Sequence, residues 1–210
     1  MKKGLLILII YLVSVSAYAQ KVSLGLKASP GLAWFKSDTK GIKSNGSKLG
    51  FSYGAIVDFL FTENYGLGSG LFINHVGGKL EFQQIDTTQI ASKVDYRLQY
   101  INIPITLKMR TNEIGYFRYF GQFGIQPGIN LGAKGTIEAL GLKSDIENAK
   151  DDINTFNISL VVGLGTMYNF SGNTSLVLGI EWNNGFSDVF KGDEAKGKTN
   201  FLVANVGVIF

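Results

Sequence analysis

From Thr155 to Phe170 the residues fall into two sets that alternate one by one. Even positions carry Phe156, Ile158, Leu160, Val162, Leu164, Thr166, Tyr168 and Phe170; odd positions carry Thr155, Asn157, Ser159, Val161, Gly163, Gly165, Met167 and Asn169. Successive side chains of a strand point to opposite faces, so this period of two predicts a strand with one apolar face and one small or polar face. It excludes an amphipathic helix, whose apolar positions return every three to four residues. The same split recurs from Thr174 to Phe186, with Leu176, Leu178, Ile180, Trp182 and Phe186 against Ser175, Val177, Gly179, Glu181, Asn183 and Gly185. It recurs again from Phe117 to Leu131, where Phe117, Tyr119, Phe123, Ile125, Ile129 and Leu131 oppose Arg118, Gln122, Gly124, Gln126 and Asn130.

Five further segments follow with more noise: Val22 to Trp34, Lys48 to Phe61, Tyr65 to Ile73, Val94 to Arg110, and Thr199 to Phe210. Together they make eight predicted strands. Three connections are short, Thr62 to Asn64, Thr111 to Ile114 and Ser171 to Asn173. The other four are longer and polar: Lys36 to Ser47, Gly78 to Lys93, Lys134 to Asp152, and Ser187 to Lys198. Short and long alternate strictly, which predicts an up-and-down antiparallel meander with all its tight turns at one end. Transmembrane β-barrels carry this asymmetry, with short periplasmic turns and long extracellular loops.

Composition decides which face looks outward. Only 17% of residues are charged and 27 are Gly, and the apolar strand faces hold almost no charge. A soluble ligand-binding barrel would turn those faces inward and need a charged exterior; the small, uncharged opposite faces suit a narrow interior instead. With lipid outside, the sheet must close, since an open edge would leave backbone groups unpaired in hydrocarbon. Aromatic residues at strand ends, Trp34, Phe61, Tyr65, Phe117, Tyr119, Tyr168, Phe170, Trp182 and Phe186, are the candidates for two interfacial girdles. The predicted fold is all-β, an eight-stranded antiparallel up-and-down transmembrane barrel.

Residues 1–19 have the parts of a cleaved signal peptide: Lys2 and Lys3, the apolar run Leu5 to Val13, and Ala17-Tyr18-Ala19 before Gln20. The apolar run is too short to span a bilayer, which takes about 20 residues. With no Cys in the chain, lipid attachment at a cysteine is excluded. Residues 20–210 are then one exported barrel domain. Loss of Lys2 and Lys3 leaves 18 basic against 16 acidic groups, a balance of +2, which gives no reason to expect nucleic acid as a partner. The expected location is the cell outer membrane, with loops extracellular, both termini periplasmic, outer-membrane lipid as the surrounding partner, and the protein monomeric.

The segments Tyr100-Ile101-Asn102-Ile103-Pro104-Ile105-Thr106-Leu107-Lys108 and Gly124-Ile125-Gln126-Pro127-Gly128, with the alternating strands and terminal Phe210, resemble the PorT-like outer-membrane β-barrel family of Bacteroidota. Ile101 and Asn102 stand where that family typically has Leu and Glu, which removes an acidic group from the middle of the motif. The resemblance implies Phe210 as an assembly signal for the barrel-assembly machinery. The expected role is structural or interactive, through the extracellular loops or as an accessory of an envelope complex beside another envelope protein.

Inward positions on this phasing include Lys27, Asp58, Asn74, Asn102, Lys108, Arg118, Gln122, Gln126, Glu181, Asn183 and Asn205. An eight-stranded barrel is just wide enough for side chains to fill it. Three cations (Lys27, Lys108, Arg118) and two anions (Asp58, Glu181) nearly balance, so the polar cluster of Lys27, Asp58, Lys108, Arg118, Gln122 and Glu181 is expected to plug the lumen; a small-solute pore is the alternative. Pro30, Pro104 and Pro127 each remove a ladder donor and predict bulges. The single His, His75, lies on the apolar phase. A nucleophilic enzyme needs a His beside a Ser and an orienting group, so the reading is non-catalytic, with no cofactor and no metal site; a lipid-modifying barrel enzyme is the alternative. The acids of Lys134 to Asp152 lack calcium-loop spacing. Lys36, Lys40, Lys43 and Lys48 in the first long loop, with the acid Asp38, could meet anionic lipid or serve only solubility.

Overall fold

The computed structural model describes residues 21–210 apart from 38, 40, 83–91, 140, 148, 173 and 193–195. The predicted signal peptide, Asp38, Lys40 and Asn173 lie outside the described residues. The strands are β1 (Lys21–Ser37), β2 (Ile42–Ser44), β3 (Lys48–Leu60), β4 (Tyr65–Phe82), β5 (Ser92–Asn102), β6 (Ile105–Arg110), β7 (Phe117–Ala139), β8 (Leu142–Ile146), β9 (Phe156–Ser171), β10 (Thr174–Gly185) and β11 (Gly197–Ile209).

Antiparallel ladders run from β1 to β3, β4, the pair β5 and β6, β7, β9, β10 and β11, and from β11 back to β1. Because β5 and β6 are one wall strand interrupted at Ile103 and Pro104, this is a closed ring of eight. Closure leaves no ladder edge facing hydrocarbon. The predicted phases hold through most of the wall: Leu26, Leu49 and Leu164 are 62%, 89% and 66% exposed on the outside, while Ser29, Asn74 and Glu181 are buried inside.

The prolines do not produce the predicted bulges. Asn102 opposes Phe72 and Gly128, and Thr106 opposes Gly68 and Gly124, so four residues match four on both sides of Pro104. Ala28 to Gly31 likewise matches Val206 to Val203 across Pro30, and Pro127 pairs in step with Ile158. Proline's fixed φ suits an extended strand, and only its missing donor is lost; the neighbouring Ile103 N–H still donates to the Pro127 carbonyl at 3.0 Å. The bulges lie elsewhere. Tyr100 opposes Asn130 but Gln99 opposes Gly132, which leaves Leu131 unpaired, and a second shift falls at Thr174/Ser175 beside a turn.

The Leu131 bulge reverses the phase of β7. Below it Gln126 and Asn130 are buried inside; above it Ala133 and Ile137 pack against the interior. This is why the alternation fades after Leu131; β7 and β4 both run well past the predicted ends at Leu131 and Ile73. With β2 paired to β4 and β8 paired to β7, these strands form a wall that stands above the rest of the barrel. The predicted loops Lys36 to Ser47 and Lys134 to Asp152 thus contain sheet.

Candidate functional site

The interior has two levels. Near the short turns, Glu181 of β10 accepts on Oε2 from Lys27 Nζ (3.1 Å), Gln122 Nε2 (3.0 Å) and Asn205 Nδ2 (3.4 Å), and on Oε1 from Asn183 Nδ2 (3.1 Å). Close by, Lys108 Nζ donates to Asp58 Oδ2 at 2.5 Å, both side chains 5% exposed. Each ammonium also faces a ring, Lys27 above Phe72 at 4.6 Å and Lys108 above Phe120 at 4.8 Å. A buried charge must be paired and hydrogen-bonded to be tolerated, and the aromatic faces add attraction for the cations.

Of the six charged or amide residues singled out in the sequence, Lys27, Gln122 and Glu181 form one group and Asp58 with Lys108 another. Arg118 joins neither. It lies at the start of β7, where its guanidinium reaches the turn and meets Glu113 at 3.0 Å, both side chains about a third exposed. Sequence reasoning missed the part played by Phe72 and Phe120, whose rings cover the lysines.

Above this floor lies a layer of neutral polar groups, with Ser29 bonded to Asn205 and Ser52 to Asn74, both at 2.6 Å. A cavity of about 20 Å³ touches Tyr100, Asn157, Asn183 and Thr199, space for one water molecule. Another of about 40 Å³ lies among the floor ion pairs.

The mouth is apolar. Phe35, Leu80, Val94, Tyr96, Leu98 and Phe201 project from the strands and meet Ala149, Ile153, Val189 and Phe190 from the long connections. Phe190 is the keystone, its ring 5.6 Å from Phe35 and 5.2 Å from Tyr96. Gly78 makes room beneath Phe35, since a Cβ there would lie 2.6 Å from the ring. Burial raises the Tyr96 phenol above its ordinary value, and the Asp152 charge acts in the same direction.

On the outside, Phe61, Tyr65, Phe117, Tyr119, Tyr168 and Phe170 gather at the short-turn end with Phe210, and Tyr116, missed in the sequence, sets its ring 6.2 Å from that of Tyr168 at a tilt of 59°. Trp34, Trp182 and Phe186 lie toward the other end. His75 points outward and stacks on Tyr53 at 6.1 Å, while the neighbouring Ser52 and Asn74 bond each other on the inner face. Among the described residues no group of three or more His, Asp or Glu could hold a metal ion.

The family profile described as Outer membrane protein beta-barrel domain matches residues 18–191. The chain belongs to that family. It is therefore an outer-membrane protein, and its exposed apolar band faces lipid, which rules out the soluble ligand-binding barrel. The outer membrane protein OprG from Pseudomonas aeruginosa is similar in structure, with 12% identity, 90% of this chain and 95% of that chain covered, and a TM-score of 0.50. Neisserial surface protein A gives 15% identity, 90% and 98% coverage and a TM-score of 0.48; the attachment invasion locus protein Ail of Yersinia pestis gives 16%, 89% and 99%, and 0.39. At these identities the likeness to OprG speaks for the fold alone. No curated protein sequence matches the chain.

Proposed function

We propose that this protein is a non-catalytic barrel with a filled lumen, of the PorT-like kind found in Bacteroidota, that acts in the envelope through the wall and connections at its mouth. The observation that carries this reading is the interior itself. Ion pairs fill the floor around a cavity of about 40 Å³, Phe190 and Ile153 fill the mouth, and the cavity of about 20 Å³ between them has space for one water. A solute path would have to displace both levels. The outward, stacked position of His75, with Ser52 turned to the other face, speaks against a nucleophilic lipid-modifying enzyme.

The raised wall of β4, β5, β7 and β8 is the part left free to meet another envelope component. Its β8 hairpin presents Leu142 at 77% exposure. Two measurements test the reading. Purified protein in planar bilayers should give no steady ohmic steps, and such steps would sink the filled lumen. In a deletion strain, a chain with residues 141–147 replaced by a Gly-Ser turn should keep its heat-modifiable gel mobility but fail to restore the wild-type phenotype; full restoration would remove the hairpin from the function.

A further inference from the structure

Two rungs of the outer wall break the pattern of the lipid-facing surface. One is Gly77, Arg97 and Lys134, aligned across β4, β5 and β7; the next is His75, Gln99 and Gly132. Below them the outward rung is Ile73, Ile101 and Ile129, within the apolar band. Arg97 stands four residues beyond Ile101, about 13 Å along a strand, so the cations lie at the level where hydrocarbon gives way to headgroups.

Arg97 and Lys134 are direct cross-strand partners, both exposed, and neither forms an ion pair among the described residues. Like charges set opposite each other destabilise a sheet, unless an anion lies between them. Asp95, two residues from Arg97 on the same face of β5, is engaged by Lys48, whose side chain crosses beside Gly77. The wall here is also hollow. An open groove of about 660 Å³ is bounded by Lys48, His75, Arg97 and Lys134, with Gly132, which has no side chain, next to the Leu131 bulge in its wall. A Cβ on Gly132 would meet nothing within 4 Å. A larger groove of about 930 Å³ adjoins it above and shares Arg97 and Lys134; it differs in holding the acids Asp95, Glu138 and Asp145, engaged by Lys48, Lys143 and Thr136, whereas the smaller groove is lined by no acid.

We propose that the smaller groove binds the phosphorylated sugar headgroup of an outer-leaflet glycolipid. Arg97 and Lys134 hold one phosphate between them, the guanidinium offering two parallel donors. Gly132 leaves room for the sugar, and the acyl chains descend over Ile73, Ile101 and Ile129. The site depends on the outer-membrane location and not on how the mouth is used.

Native mass spectrometry of the full detergent-solubilised protein titrated with bis-phosphorylated lipid A tests this. The wild type should retain one lipid, and Arg97→Gln with Lys134→Gln should weaken retention at least tenfold. Gly132→Leu, which fills the groove while leaving both charges, should do the same. Lys191→Gln, exposed on a connection that lines neither groove, should bind as the wild type does. The first two changes relieve repulsion or enter open space, so all variants should keep the heat-modifiable mobility of a folded barrel. No retention by the wild type, unchanged retention by either groove variant, or equal retention of dephosphorylated lipid A would overturn the proposal. Displacement of the lipid by millimolar inorganic phosphate would also overturn it, in favour of a soluble phosphate ligand.

Discussion

The floor and the mouth of this barrel are both filled, by opposite chemistry. At the floor, where hydrocarbon surrounds the wall, the side chains of Lys27, Asp58, Lys108 and Glu181 reach across the interior and bind strands far apart in sequence; Lys27 and Glu181 are separated by 154 positions. At the mouth, Phe35, Tyr96, Ile153 and Phe190 form an ordinary apolar core. The difference follows from what each level joins. The floor joins strands already held by a closed ladder, so directional bonds can be satisfied by groups at fixed positions. The mouth joins strands to long connections, and non-directional burial tolerates the imprecise placement of a loop. A change at the floor should therefore act on the whole barrel, and a change at the mouth on the connections alone.

The largest effect is expected from Glu181→Ala. It strips Lys27 of its carboxylate and leaves Gln122, Asn183 and Asn205 without their acceptor. Breaking one side of a buried pair costs about 3–5 kcal/mol, read as a lower urea midpoint for the loss of heat-modifiable protein in lipid vesicles. Lys27→Met should cost less, because three amide donors remain on the carboxylate. The double change Lys27→Met with Glu181→Leu should recover most of the loss, since a buried pair replaced by apolar groups is often close to neutral. If the double variant is as unstable as Glu181→Ala alone, the floor is a network that apolar filling cannot replace.

Ile153→Ala probes the mouth. Truncating a buried Ile costs about 2–5 kcal/mol, but here the loss should be local. Hydrogen exchange should quicken in residues 142–155 and around Phe190, while the urea midpoint of the barrel stays at the wild-type value. A shift of that midpoint as large as that of Glu181→Ala would show that the two levels unfold as one and end the distinction.

The sequence displayed the floor better than the mouth, for a physical reason. Strand alternation reports which face a residue takes, so Lys27, Asp58, Lys108, Gln122 and Glu181 could be placed inside the ring from their phase alone. It does not report height or partner, so the pairing of Lys27 with Glu181 and of Lys108 with Asp58 had no signal. The mouth was hidden because β4 and β7 leave the membrane there. Beyond the hydrocarbon the outer face of β4, β5 and β7 carries Lys79, Arg97 and Lys134, the apolar face turns inward, and the Leu131 bulge shifts the phase of β7 by one. Polar outside and apolar inside is the reverse of the pattern lower down, so the extensions looked like loops. Phe190 and Ile153 lie in irregular connections, where no period exists to mark them.

Arg118 shows where alternation overreaches. Its phase points inward, yet it lies at the first turn of β7, and an arginine there is long enough to leave the lumen and meet Glu113 at the rim. With both side chains about a third exposed, water screens the pair, and exposed pairs contribute about 0–1 kcal/mol. Arg118→Gln should thus move the urea midpoint little, and raising salt from about 0.1 M to 1 M, which shortens the screening length from about 10 Å to 3 Å, should erase what difference there is. The floor pairs, shielded from solvent, should keep their contribution under the same change. An Arg118→Gln loss that matched Glu181→Ala and survived high salt would place Arg118 with the floor after all, and would mean that the lowest turn of the barrel belongs to its ionic network.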